Sequence, residues 1–83
     1  MDSYIGQIQL LAFTAYAPEG WMPCQGQSLK VASYQPLFSL IGYQYGGGGA
    51  TFNLPDMRGK APTGMQYCIV AEGGAYPVRP DTE

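Results

Sequence analysis

The sequence predicts a small α+β domain of short antiparallel strands, one short helix and Gly/Pro-rich loops, occupying residues 1–83 as a single unit. Three observations carry that expectation. An apolar segment near the start alternates with a two-residue period, as a half-buried strand does. A central segment sets apolar residues at helical spacing between a proline and a glycine. Around them, 12 Gly and 7 Pro punctuate the chain often enough to keep every element short.

The first strand falls in "YIGQIQLLAF" (residues 4–13), where Ile8, Leu10 and Ala12 alternate with Gln7 and Gln9. Pro18 and Gly20 mark a turn, after which "WMPC" and "SLKV" are short extended runs joined across "QGQ" in a hairpin-like corner. Ser33, three residues before Pro36, offers a helix start, and "PLFSLIG" continues it with Leu37, Leu40 and Ile41 on one side and Gly42 as the stop. "YQYGGGGATFNLP" returns to extended chain through a four-glycine turn, and "DMRGKAPTG" has the content of a surface loop. "MQYCIVAEG" (residues 65–73) is a β-branched apolar run suited to the centre of a sheet, and the tail "PVRPDTE" has no pairing partner of its own.

Composition excludes several function classes. With 46% hydrophobic residues, seven Tyr, three Phe and Trp21, the chain has enough to bury, and disorder is not expected. Four basic and six acidic residues give a formal charge of -2, which supplies no footprint for nucleic acid or an anionic membrane. The start of the chain carries an acid, lacks a basic region and is interrupted by Gln7 and Gln9, so it does not read as a signal peptide. No apolar run approaches the roughly 18 residues of a membrane helix. The expectation is a soluble protein made in the cytoplasm, with no membrane insertion and an unknown route of export. A core of this size supplies only about 3–5 kcal/mol, which makes assembly with a partner a natural source of further stability.

Candidate chemistry is sparse. Cys24 and Cys68 cannot form a tetrahedral metal site in a chain without His, and no metal or other cofactor is expected. Buried free thiols are the favoured reading, with a disulfide as the alternative and redox chemistry as the remainder. "GGGGAT" (residues 46–51) exposes backbone N–H groups, yet it lacks a P-loop ending and a following helix, and reads as a turn. Asp56 and Arg58 read as a loop-stiffening pair rather than an acid and its stabiliser, because no second tunable group is nominated. Glu19 and Glu72 read as solvated carboxylates. Ser28, Ser33 and Ser39 have no His to activate them. Trp21, Tyr43, Tyr45, Tyr67 and Tyr76 read as core or subunit interface, with a sugar-stacking platform as the alternative. No catalytic residue is expected.

Three stretches, "GQIQLLAFTAYAPEGWMPCQGQSL", "QPLFSLIGYQYGGGGATFNLPDMRGKAP" and "QYCIVAEGGAYPVRP", closely resemble the phage tail collar family, which includes short tail fibre proteins and microcystin-dependent proteins. The family's Gly-Trp pair, Cys and Gly-Gln correspond to Gly20, Trp21, Cys24, Gly26 and Gln27. Its short helix falls on Leu37, Phe38, Ser39, Leu40 and Gly42, and its Tyr-Gly-Gly turn on Tyr45, Gly46 and Gly47. Phe52, Leu54, Pro55, Asp56, Arg58 and Gly59 complete the motif. The resemblance implies a small α+β domain with a structural or adhesive role, whose members trimerise in phage fibres. Longer members insert a His-containing variable head before the closing strand, whereas this chain passes almost directly from "RGKAPTG" to "QYCIVAEGG".

Residues and resemblance together predict a non-enzymatic structural subunit of a phage tail or injection apparatus, or of an extracellular filament. Its partners would be copies of itself, as a homotrimer or filament, and other tail or injection-apparatus proteins. A carbohydrate- or cell-surface-binding module is the alternative. The strands at the two ends of the chain are the expected assembly edges, through Ile5, Ile8 and Leu10 in the first and Ile69 and Val70 in the last.

Overall fold

A computed structural model describes residues 3–77. The chain forms β1 (Ile8–Leu11), β2 (Trp21–Pro23), β3 (Ser28–Lys30), α1 (Gln35–Ile41), β4 (Gly47–Gly48), β5 (Thr51–Asn53) and β6 (Gln66–Val70). Two three-stranded antiparallel sheets result, ordered β1-β6-β2 and β3-β5-β4. The architecture is mostly sheet, with α1 as the one helix among the described residues. The predicted tail from Val78 onward lies outside the described residues.

β6 sits at the centre of the first sheet, as its apolar run predicts, with Cys68, Ile69 and Val70 buried. Its register sets Ile8 opposite Ile69 and Leu10 opposite Tyr67 on one side, and Met22 opposite Ile69 on the other. β1 is shorter than the predicted strand. Tyr4 to Gln7 form a turn closed by the Gln7 N–H on the Tyr4 carbonyl, and Gly6 sits within it at φ +87. The Gly6 N–H donates to the Val70 carbonyl while the Val70 N–H donates to the Gln7 carbonyl, so two residues oppose one. This is a bulge with glycine in its left-handed position, and regular pairing begins only beyond it.

The hairpin-like corner predicted between Trp21 and Val31 does not form. β2 pairs with β6 and β3 with β5, so the chain changes sheets between them. The amide of Gln27 supports that crossing: its nitrogen donates to the Pro23 carbonyl at 2.9 Å and its oxygen accepts the Gln25 N–H at 3.1 Å.

α1 carries proline in its first turn as expected, but Tyr34 rather than Ser33 precedes it, and no side chain caps the start. At the far end the Gly42 N–H donates to the Phe38 carbonyl at 2.7 Å. Leu37 is fully buried, whereas Leu40 remains 38% exposed. In the second sheet, Gly47 and Gly48 are themselves strand residues opposite Phe52 and Thr51. A Cβ on Gly47 would lie 2.6 Å from the Phe52 Cα, so this close backbone approach requires glycine.

One core joins all layers. Ile69, Val70 and Ala71 from around β6, Leu29 from β3, Phe52 from β5, Leu54 just beyond it and Leu37 from α1 form a single buried cluster with Ile5 and Cys24. Trp21 only packs against its margin.

Candidate functional site

The segment holding Trp21 and Cys24 is bonded to β6 and its continuation. The Gly20 carbonyl accepts N–H bonds from Ala71 at 2.8 Å and Glu72 at 3.2 Å, which ties this turn to the end of β6. Cys24 is buried at the end of β2, and its N–H donates to the Tyr67 carbonyl. Both Cys24 and Cys68 are free thiols. Burial pushes the Cys24 thiol up to about 11, with the neighbouring Cys68 adding to the effect, and burial likewise raises Cys68. A thiol so disfavoured as thiolate is a poor nucleophile at neutral pH.

The loop after β5 is fastened by Asp56 and Arg58. The Arg58 guanidinium donates to the two carboxylate oxygens at 2.9 and 2.8 Å, and its backbone N–H adds a third bond at 3.2 Å. These bonds hold the Asp56 carboxyl down at about 2, below the ordinary carboxylate range. They also hold the Arg58 guanidinium above its usual value. Pro55 is buried and its carbonyl accepts the Gly26 N–H at 3.3 Å, while Gln25 and Asp56 form an isolated bridge. Gly59 lies exposed beyond them.

The glycine-rich segment is likewise occupied by its own fold. The Gly46 N–H donates to Tyr43 and its carbonyl accepts from Asn53, while the Tyr43 hydroxyl donates to the Gly49 carbonyl at 2.6 Å. An open cavity of about 820 Å³ lies between Glu19, Trp21, Glu72 and the glycines at 73 and 74. Among the described residues, no group of three or more His, Cys, Asp or Glu is placed to hold a metal ion. No described helix is long and apolar enough to cross a membrane.

The aromatic residues divide. Trp21 and Tyr67 are half-buried against the core, and Phe38 packs on Phe52, but Tyr43, Tyr45 and Tyr76 stand 45%, 44% and 51% exposed. Of the core-or-interface expectation, the core half therefore fails for these three tyrosines. The Tyr43 ring packs edge-on against Phe38 at 4.9 Å, and the Tyr76 hydroxyl shares a 2.6 Å hydrogen bond with the Ser39 hydroxyl.

The expected assembly residues also divide. Ile8 and Leu10 occupy an edge strand and remain 37% and 36% exposed, so the alternation of β1 does not mark a buried face. Ile69 and Val70 are corrected: β6 is hydrogen-bonded on both sides, and these residues are 1% and 2% exposed, leaving no free edge. Ile5 is corrected too, since it is buried in the core and its N–H donates to the Ala75 carbonyl. Sequence reasoning missed Phe13 and Tyr16, whose rings lie 5.1 Å apart just beyond β1 and stand 38% and 66% exposed. Their three-residue spacing in an uncharged stretch was the available signal.

Two short sheets share one core, polar side chains fasten the loops between them, and the edge of β1 is open. The chain belongs to the phage tail collar domain family, whose pattern matches residues 6–62, more than half of its length. The matched span opens at the Gly6 bulge and closes before β6. That family is a structural domain of phage tail fibres. No curated protein sequence matches the chain.

Proposed function

We propose that this chain is a non-enzymatic structural subunit that associates with copies of itself, as a component of a phage tail or of a tail-derived assembly. The observation that carries the reading is the exposed apolar edge of β1, on a domain of collar type whose own core is small. An edge strand with unpaired N–H and C=O groups is a site for strand addition, and burial of Ile8 and Leu10 would add to a marginal core. A virion-tail or extracellular location, and contact with other tail or injection-apparatus proteins, follow from the same reading.

A second reading, a carbohydrate- or cell-surface-binding module, is favoured by the exposure of Tyr43, Tyr45 and Tyr76. Open rings of this kind stack on sugars. The two readings separate in solution. Sedimentation from micromolar concentration upward, with negative-stain microscopy, is expected to give oligomers or fibres. A monomer at every concentration that binds glycans overturns the first reading in favour of the second.

A further inference from the structure

Four outer strands border the two sheets, and their backbones differ in what they leave open. On β1 the Val70 N–H donates to Gln7, and the register continues through Gln9 opposite Cys68 and Leu11 opposite Gln66. Alternate residues of an antiparallel strand turn their N–H and C=O to opposite sides. Gln7, Gln9 and Leu11 therefore face β6, and the backbone groups of Ile8 and Leu10 face outward. Among the described residues, nothing bonds them.

The other edges are closed or interrupted. On β2 the outward residues are Trp21 and Pro23. The Trp21 N–H donates to the Pro18 carbonyl, Pro23 has no N–H, and the Pro23 carbonyl accepts from Gln25 and Gln27. On β3 the Lys30 carbonyl accepts from Ser33 and Tyr34, and the side chain is charged. β4 is two glycines long. β1 alone offers a donor and an acceptor at each of two alternate residues, and no charged residue occurs from Ser3 to Pro18. Charge-depleted apolar surface is what the centre of an interface carries.

The first sheet therefore cannot grow head to tail, because β2 has no donors to offer β1. We propose that β1 pairs antiparallel with β1 of a second copy about a two-fold axis at Gln9, a proposal that rests on the self-association argued above. Ile8 then lies opposite Leu10 of the second copy, and Leu10 opposite Ile8. This register satisfies all four open groups on each strand. It joins the two three-stranded sheets into one of six strands, with Ile8, Leu10, Tyr67, Ile69 and Met22 contributing to one apolar row. Such an interface uses the same patch twice and is closed at this edge, so it joins copies two at a time, and any larger oligomer or fibre needs a second contact elsewhere on the domain.

Gln9 faces its own copy at a narrow site, where Cα atoms of an antiparallel pair approach to about 4.5 Å, within the range a disulfide spans. Because Gln9 also lies opposite Cys68 of its own chain, the substitution is made in a Cys68→Ala background; there Gln9→Cys is expected to cross-link two chains on mild oxidation, while Thr14→Cys, beyond the strand, stays unlinked. The double variant Ile8→Lys, Leu10→Lys alters only exposed side chains. It is expected to keep its melting temperature within a few degrees and to raise the dissociation constant of the pair at least ten-fold in sedimentation. If the double variant assembles like the wild type and Gln9→Cys does not cross-link, the joint lies elsewhere; this overturns the β1 pairing and leaves self-association standing. A wild-type chain that is monomeric at every concentration overturns both. So does slow hydrogen exchange at the Ile8 and Leu10 amides in that monomer, which would place another segment of the chain on the edge.

Discussion

The ring of Phe52 lies 5.3 Å from that of Phe38, inclined at 60°, and this contact fastens α1 to the second sheet. Tilted aromatic pairs of this kind add to the stabilisation from burial alone. Phe52 has no exposed surface and lies opposite both Leu29 and Gly47, so it is the side chain around which the second sheet and the helix are assembled. Phe52→Ala is expected to cost about 3–5 kcal/mol, enough to unfold a domain of this size. Trp21→Ala, at the margin of the core, is expected to cost distinctly less. Urea titrations of the two variants check the order, and equal losses would contradict it.

Gly47 and Gly48 are neighbours in one glycine run with opposite tolerances. A Cβ at Gly47 meets the Phe52 Cα and the Thr51 carbonyl at 2.6 and 2.7 Å, while one at Gly48 meets nothing within 4 Å. Gly47→Ala is therefore expected to destabilise by several kcal/mol, since backbone must shift on both strands. Gly48→Ala is expected to stay within about 1 kcal/mol of wild type. Thermal melts of the pair give the comparison directly.

The two thiols set an alkaline limit. The folded state holds the Cys24 proton up to about 11, whereas the ordinary thiol value is 9.0. A raised folded-state value means stability that is complete below about pH 9 and is lost as pH rises towards 11. The melting temperature is expected to fall across that window, and Cys24→Ala should make the fall shallower. At neutral pH, reductant should leave the melting temperature unchanged and thiol labelling should be slow, because both groups are free and buried.

Asp56 gives the opposite sign at the acid end. Its folded-state value, about 2, lies below the ordinary 3.8, so its contribution is present above about pH 4 and is lost as pH falls towards 2. The pair is exposed, and the effect on overall stability is expected to be small. Arg58→Ala should return the Asp56 titration, followed by NMR, to the ordinary carboxylate range. An unchanged titration would mean that another group holds the carboxylate.

Much of this architecture was legible in local pattern. The apolar, β-branched run at Tyr67–Val70 marked the central strand, because burial on both faces leaves no polar alternation. Pro36 and Gly42 bracketed the helix by backbone chemistry alone. What could not be read was which partner each strand takes. Trp21–Pro23 and Ser28–Lys30 are adjacent in sequence, yet each pairs with a strand much later in the chain, and no local propensity encodes that choice. The alternation around Ile8 and Leu10 likewise shows that β1 has two unlike faces, without saying whether its own chain covers either. That Tyr43, Tyr45 and Tyr76 lie outside the core was illegible for a related reason: composition gives the amount of aromatic surface, and only the fold decides where it lies.

The central strand of the first sheet is also the last made among the described strands. β1 and β2 each pair only with β6, and the register links Ile8 to Ile69 and Trp21 to Val70. The second sheet and the helix draw on residues 28–53, whose contacts span far less chain and can form early. A chain emerging from the ribosome therefore carries β1 and β2 as bare edges until Val70 is free of the exit tunnel, and the Ile8–Leu10 stripe is sticky throughout that interval. Synthesis that stalls before Gln66 leaves half of the domain folded and the other half an aggregation hazard, which makes steady elongation through the last strand a condition of yield.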